Sequence, residues 1–406
     1  MRILVISNLY PPAVRGGYEV ECAGVVTHLR ERGDEVTVLT SKHGRGGLED
    51  EGVLRLLPLL PQSPLGALRA PLASIAAART TRSVIASFRP DLVFAWNCAQ
   101  IPHAAVYAAL ESGLPVAFRV CEHWFGRLFS GDQFARHLFP GDRGLRHAWA
   151  ALARATNRSP ALRLDLDSRY PVTVSWASEY LRGSMEGITA VEIVLEHVTL
   201  SVPPNAFQLA SGTRNPAGGR KLICYVGRLS AEKGPEVAVR ALAHLRYEHS
   251  LEAELVLAGA GSRRERRQLS DLSKSLGVGE LCHFEGPLGQ EAVADLLSRG
   301  QVLVFPSLWQ EPLGLVALEG ALARIPVVAS RVGGIPELLV DREQALFFPP
   351  GDAEACAEAI AQVLTPPAEA TERVERAFER ATSLSWESYL RAIDTFVAES
   401  LAALAG

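Results

Sequence analysis

The sequence predicts an α/β protein made of two Rossmann-like, doubly wound domains. Its 406 residues, 48% of them hydrophobic, are enough for two cores of ordinary size. Short β-branched runs alternate with longer amphipathic segments in both halves, the pattern of buried parallel strands joined by helices. Between the halves, "SVPPNAFQLASGTRNPAGGRK" is rich in Pro, Gly, Ser and Asn, a composition that neither packs a core nor holds a helix.

In the first half the expected strands are "RILVIS", "EVTVLT", "DLVFAW", "PVAFRV", "VTVSW" and "EIVL". In the second they are "KLICYVG", "AELVLAG", "CHFEG", "VLVFPS" and "PVVAS". These runs set a first domain over residues 1–200, a linker over 201–220 and a second domain over 221–382. The closing "SWESYLRAIDTFVAESLAALAG" spaces its apolar residues helically, so residues 383–406 are expected as a helix packing back on the first domain. Two such domains facing each other would turn the carboxyl ends of both sheets toward one interdomain cleft, which places functional residues in loops just after strands.

Composition narrows the function. The balance of 41 Lys+Arg against 45 Asp+Glu gives no reason to expect a nucleic-acid partner and favours small-molecule chemistry. Six cysteines without a C-x-x-C spacing argue against a zinc cage or a disulfide framework and fit a reducing cytoplasm. The start, "MRILVISNLYPP", has an apolar run too short for a signal peptide and reads as a buried strand. No window reaches the roughly 18 apolar residues of a membrane span, which leaves peripheral contact open.

The stretch "WQEPLGLVALEGALARIPVVASRVGGIPE" sets Glu311 and Glu319 eight positions apart beside a glycine pair. A helix over "EPLGLVALEGALA", with Pro312 in its first turn, would make Glu311 the entrance cap and put Glu319 about two turns on. Amides near Gly314, Leu315 and Val316 would then face phosphate oxygens at the positive end of the helix, with a carboxylate on either side for hydroxyl pairs. That combination suits a sugar, a diphosphate and a second sugar: a nucleotide sugar. The bland alternative is a helix cap and a solvated face.

Neighbouring loops favour the ligand. "YVGRLSAEKGPE" places Arg228 and Lys233 in a glycine-bounded loop after a strand, where both cations could reach one diphosphate. "YPPAVRGGYEVE" sets Gly16 and Gly17 between the first strand and its helix, and "RVGGIPE" repeats the device after "PVVAS".

With these motifs, and with "LRERGDEVTVLTS", "VTVSWASEYL", "LAGAG", "FPSLWQEPLGLVALEGALA", "VGGIPELL" and "PPGD", the chain resembles the family 4 retaining glycosyltransferases of the GT-B fold. The resemblance spans most of the chain outside the region from about Trp124 to Arg169. It implies that Glu311 holds hydroxyls of the donor sugar and Glu319 the ribose. It also implies that Arg228 and Lys233 hold the diphosphate, with the Leu315 and Val316 amides and the Gly16–Gly17 loop. Retention is implied likewise, the leaving diphosphate taking the acceptor proton, so that no separate general base is required. Neither a metal nor a cofactor is expected. Acceptor classes open to such an enzyme are small molecules and glycans.

Departures from the family pattern matter as well. Where it carries His-Asp, this chain reads "FRVCEHWFG", so either His123 fills the role or the contact is missing. On an extended strand Cys121 and His123 would share a face, which raises a Cys-His nucleophile against the blander packed thiol. Arg324 stands where the family has a helix-ending glycine, and Ala345 replaces another glycine. "DLD", Asp165 to Asp167, spells a metal motif of another glycosyltransferase architecture, but its charged surroundings read as a solvated turn. "GAGSRR" lacks the third glycine of a dinucleotide loop, and the adjoining "RRERR" reads as a wet helix face. Residues 124–169, an insertion dense in arginines and aromatics, fit the wall of an acceptor pocket or a membrane-surface contact. Competing functions are a sugar-nucleotide epimerase using Glu122 and His123, a non-catalytic nucleotide-sugar sensor and a nicotinamide-dependent dehydrogenase. No motif specifies the donor base, the donor sugar or the oligomeric state.

Overall fold

The computed structural model describes residues 1–43, 51–60, 70–128, 170–185, 191–200, 220–365 and 367–404, with Gly144 and Ala148. The chain divides into two compact units, Met1–Pro204 with Glu387–Gly406, and Asn205–Trp386.

The first unit holds β1 (Arg2–Ile6), β2 (Glu35–Ser41), β3 (Val53–Leu57), β4 (Leu92–Ala95), β5 (Val116–Val120), β6 (Tyr170–Trp176) and β7 (Val191–Val198). They form one parallel sheet in the order β3-β2-β1-β4-β5-β6-β7. Its described helices are α1 (Gly17–Glu31), α2 (Ala70–Phe88), α3 (Ala104–Leu110), α4 (Phe125–Leu128) and α5 (Glu179–Gly183). Ile3, Leu4, Val5 and Ile6 are all fully buried, so β1 is covered on both faces. Double coverage is why its sequence is a continuous apolar run and not an alternation.

The second unit holds β8 (Lys221–Val226), β9 (Ala253–Ala258), β10 (Cys282–Gly286), β11 (Val302–Phe305), β12 (Val327–Ser330) and β13 (Leu346–Phe348), parallel in the order β10-β9-β8-β11-β12-β13. Its helices are α6 (Pro235–Tyr247), α7 (Arg263–Ser275), α8 (Gln290–Arg299), α9 (Leu315–Leu322), α10 (Ile335–Leu338), α11 (Ala353–Leu364) and α12 (Pro367–Ser383). In both sheets the strand order reverses once, between β1 and β4 and between β8 and β11. Ligands of doubly wound sheets bind beyond the carboxyl ends of the strands at that reversal.

The last helix, α13 (Trp386–Leu404), returns the chain to the first unit. The rings of Phe396 and Phe94 lie 6.1 Å apart, Thr173 Oγ1 donates to Ser400 Oγ at 2.7 Å, and the Tyr389 hydroxyl donates to the buried carboxylate of Glu21. Among the described residues no helix is long and apolar enough to cross a membrane.

Two strands escape the sequence reading, and both are sheet edges. β3, "VLRLL", is half-exposed and carries Arg55, whose guanidinium donates to the Tyr10 carbonyl at 3.1 Å. β13 has three residues, fewer than a periodicity can be read from.

Candidate functional site

β8 and β11 are neighbours at the reversal in the second unit, so the loops that follow them meet. The β8 loop is pinned from beneath by Tyr225, whose hydroxyl donates to the Arg228 carbonyl at 2.6 Å and lies 3.4 Å from that of Lys233. The loop ends at Gly234 in the left-handed region, φ 66°, where a Cβ would collide with the Pro306 carbonyl of the β11 loop. Only glycine allows that approach. As a result Lys233 Nζ lies 2.6 Å from Glu311 Oε1, and Ser307 Oγ donates to the same oxygen at 2.6 Å. Glu311 is 5% exposed, and its Oε2 has no partner among the described residues. Leu308 and Trp309 tie the two loops further, their amides donating to the Glu232 carbonyl at 2.9 Å each.

Arg228 is not drawn into this pair. Its guanidinium reaches Glu232 Oε1 at 3.2 Å, an exposed contact on the rim of the same loop.

The helix expected over residues 311–323 starts later than its sequence suggests. α9 begins at Leu315, preceded by Gly314 in the left-handed region at φ 89°. A Cβ on Gly314 would sit 2.7 Å from Ile335 Cγ1. Pro312 therefore precedes the helix, and Glu311 is no cap, since its carboxylate is committed to Lys233 and Ser307. Leu315 and Val316 are the first two helical residues, where amides lack an intrahelical acceptor and the helix dipole favours an anion. Glu319 lies one turn into α9, half-buried and without a partner among the described residues. Burial alone pushes its carboxyl up to about 7.

"RVGGIPE" is not a second anion loop. Gly333, at φ 54°, sits so close to the Glu311 backbone that a Cβ would overlap it. Its amide donates to Gln310 Oε1 at 3.0 Å, and the Gly334 amide donates to the Glu311 carbonyl at 2.8 Å. Both amides are therefore used to seat Gln310 and Glu311. "GAGSRR" is likewise structural at its start. Ser262 and Glu265 form a reciprocal capping box on α7, and a Cβ on Gly261 would press on Leu229.

In the first unit Gly16 and Gly17 stand at the start of α1, after the β1 loop. Gly16 has extended backbone with open space where a Cβ would lie. Its amide donates to Glu19 Oε2 at 2.9 Å, and that of Arg15 to the same oxygen at 3.2 Å. Part of the expected anion cradle thus holds the protein's own carboxylate.

β5 ends at Val120, so strand alternation does not reach residues 121–123, and the shared face expected for Cys121 and His123 is not imposed. Cys121 Sγ lies 3.9 Å from Glu21 Oε1, while His123 Nδ1 lies 3.4 Å from Ser184 Oγ with its ring edge-on to Tyr180. Glu122 accepts from Asn97 Nδ2 at 3.4 Å. Trp124, Phe125 and Leu128 are core residues. Beyond Leu128 the arginine-rich region up to Arg169, with Asp165 and Asp167, lies outside the described residues except at Gly144 and Ala148.

Two groups carry no clear sequence signal. Ser307 looks like an ordinary loop serine. Arg119 is fully buried and bonds Glu21 Oε1 at 3.1 Å, Ser175 Oγ at 3.0 Å and the Thr199 carbonyl at 2.9 Å. Its position within a strand gives only the odd charge in "FRV" as a clue.

Similarity to known proteins agrees with this geometry. Residues 210–380 match the family described as glycosyl transferases group 1, and residues 15–163 match glycosyltransferase family 4. A glycogen synthase of Mycobacterium tuberculosis is 28% identical over 96% of this chain and 92% of its own. Among solved structures, sucrose-phosphate synthase of Thermosynechococcus elongatus superposes with a TM-score of 0.73 at 20% identity, covering 99% of both chains. Anabaena HepE in complex with UDP and glucose gives 0.66 at 16% identity, over 98% of this chain and all of that one. With two parallel Rossmann-like sheets and family matches in both halves, the chain belongs to the family 4, group 1 glycosyltransferases of the GT-B fold.

Proposed function

We propose that the protein moves a sugar from a nucleotide-diphosphate donor to a hydroxyl of a small-molecule or glycan acceptor, with retention, in the cytoplasm and without a metal. The observation carrying this reading is the cluster after β8 and β11: Lys233 and Ser307 on one oxygen of Glu311, which precedes the start of α9 and Glu319, a carboxylate with no partner among the described residues. UDP and glucose in the HepE complex make UDP-glucose the first donor to try.

In this reading the diphosphate lies against the Leu315 and Val316 amides with Arg228 and Lys233, the sugar hydroxyls meet Glu311, and the ribose meets Glu319. The bond from the anomeric carbon to the diphosphate oxygen breaks as that carbon gains the acceptor oxygen on the same face. The acceptor proton passes to the departing diphosphate, so no separate base is consumed. Lys233 and the α9 amides stabilise the charge that develops on the leaving oxygen.

Thermal stabilisation is measured with UDP-, GDP-, ADP- and dTDP-linked hexoses. A ligand at a hundred times its dissociation constant adds ~2.7 kcal/mol to native stability. The donor that stabilises most is then incubated with candidate acceptors and a chelator, and the product's anomeric configuration is read by NMR. Retention, with a rate indifferent to the chelator, is expected. Absence of stabilisation by every nucleotide sugar defeats the reading, and an isomerised donor without acceptor assigns the epimerase instead.

A further inference from the structure

We infer that Ser307 is a positioning residue that fixes the rotation of the Glu311 carboxylate, an inference resting on the donor-site reading above. Ser307 is fully buried just beyond the end of β11. Its hydroxyl has one proton and three acceptors in range: Glu311 Oε1 at 2.6 Å, the Glu232 carbonyl at 3.3 Å and the Trp309 carbonyl at 3.4 Å. The carboxylate is the nearest and the only charged one, and charge-assisted bonds are the stronger. The Trp309 amide donates back to the hydroxyl oxygen at 3.3 Å, which aims the proton away from that amide.

Lys233 Nζ occupies the same Oε1, so both donors act on one oxygen. An ammonium alone is a rotatable point charge that tolerates a swinging carboxylate. The added hydroxyl, on a loop seated by Gly234, removes that freedom and leaves Oε2 as the acceptor for a single sugar hydroxyl. A rigid acceptor matters because small displacements of a positioning group are expensive in rate.

The test is a double-mutant cycle of Ser307→Ala and Glu311→Gln, using the donor selected by thermal stabilisation. Ser307→Ala is expected to lower kcat about tenfold while the dissociation constant of the matching nucleoside diphosphate, which lacks the sugar, stays within about twofold. In the Glu311→Gln background the same substitution is expected to cost less than about twofold. Ser307→Cys, which keeps the packing and offers only a weak donor, serves the same cycle if the alanine protein does not fold. Unchanged kcat in the Ser307 variant beside a defective Glu311→Gln overturns this inference alone, as does an equal loss in both backgrounds. An undiminished Glu311→Gln enzyme overturns it together with the donor-site reading.

Discussion

Lys233 and Glu311, 78 positions apart in the chain, form a 2.6 Å ion pair in which the carboxylate is almost entirely buried. Charge is balanced inside the protein before any ligand arrives. A diphosphate recruiting Lys233 would draw the ammonium toward a second anion, and Ser307 would keep Glu311 from being left wholly bare.

Lys233→Ala removes the cation from both partners. Turnover is expected to fall roughly a hundredfold, the scale of losing one transition-state charge contact. Removing one member of a wholly buried pair destabilises by about 3–5 kcal/mol, and the partial exposure of Lys233 brings the expectation down to about 1–2 kcal/mol. Steady-state kinetics and denaturant unfolding measure the two effects separately, and wild-type turnover would remove Lys233 from the site.

Glu319 supplies a pH dependence. Burial raises its carboxyl from the ordinary value of 4.5 to about 7, so the folded chain holds that proton more tightly than the unfolded one. Its contribution to stability is complete below about pH 4.5 and is lost as pH rises through about 7. Glu319→Gln cannot ionise, so its Tm should gain on the wild type between those limits and hold a constant lead above them. Parallel Tm curves across that range would show that the group does not titrate there. In the donor-site reading, Glu319→Ala weakens nucleotide-sugar binding more than it slows bound-state chemistry.

Most strands are legible because parallel strands covered on both faces must be apolar throughout. "VLVF" and "KLICYV" declare β11 and β8 without any tertiary information. Position at a sheet edge hides β3 and β13, which need less apolar sequence. Glu311 reads wrongly as a cap because Pro after Glu looks like a helix start, whereas the left-handed turn at Gly314 delays the helix to Leu315. The Lys233–Glu311–Ser307 contacts follow from β8 and β11 being sheet neighbours, and strand order is not written in either loop. Gly333 shows the same limit: its glycine answers the backbone of Glu311, a contact 22 residues away in sequence.

Arg324 occupies a glycine position and keeps glycine geometry. It adopts φ 51° after α9, its amide donating to the Ala321 carbonyl at 3.0 Å and that of Ile325 to the Gly320 carbonyl at 3.1 Å, the two bonds of a Schellman cap. A side chain there costs about 1 kcal/mol. The guanidinium offsets this by lying 3.7 Å over the Phe378 ring, with Glu375 at 3.4 Å. Arg324→Ala loses these contacts and keeps the strain, whereas Arg324→Gly loses both. The glycine variant should therefore be more stable than the alanine variant by about 1 kcal/mol in urea unfolding, and the reverse order would contradict the strain argument.

Tyr389 tests how α13 is held. Its hydroxyl donates to Glu21, whose carboxylate also takes Arg119 at 3.1 Å, and the Arg119 guanidinium lies 5.3 Å from the Tyr389 ring. Burial pushes the phenol well above its ordinary range, which keeps it a donor at neutral pH. Tyr389→Phe keeps the ring over Arg119 and removes only the bond to a charged acceptor, for an expected loss of about 1.5–3 kcal/mol. Arg119→Met leaves the Glu21 carboxylate buried without its cation and should destabilise by about 3–5 kcal/mol, more than the tyrosine change. Chemical unfolding of the two variants ranks them. If Tyr389→Phe equals wild type, α13 is held by Phe396 and its apolar neighbours, and the hydroxyl adds nothing to that attachment.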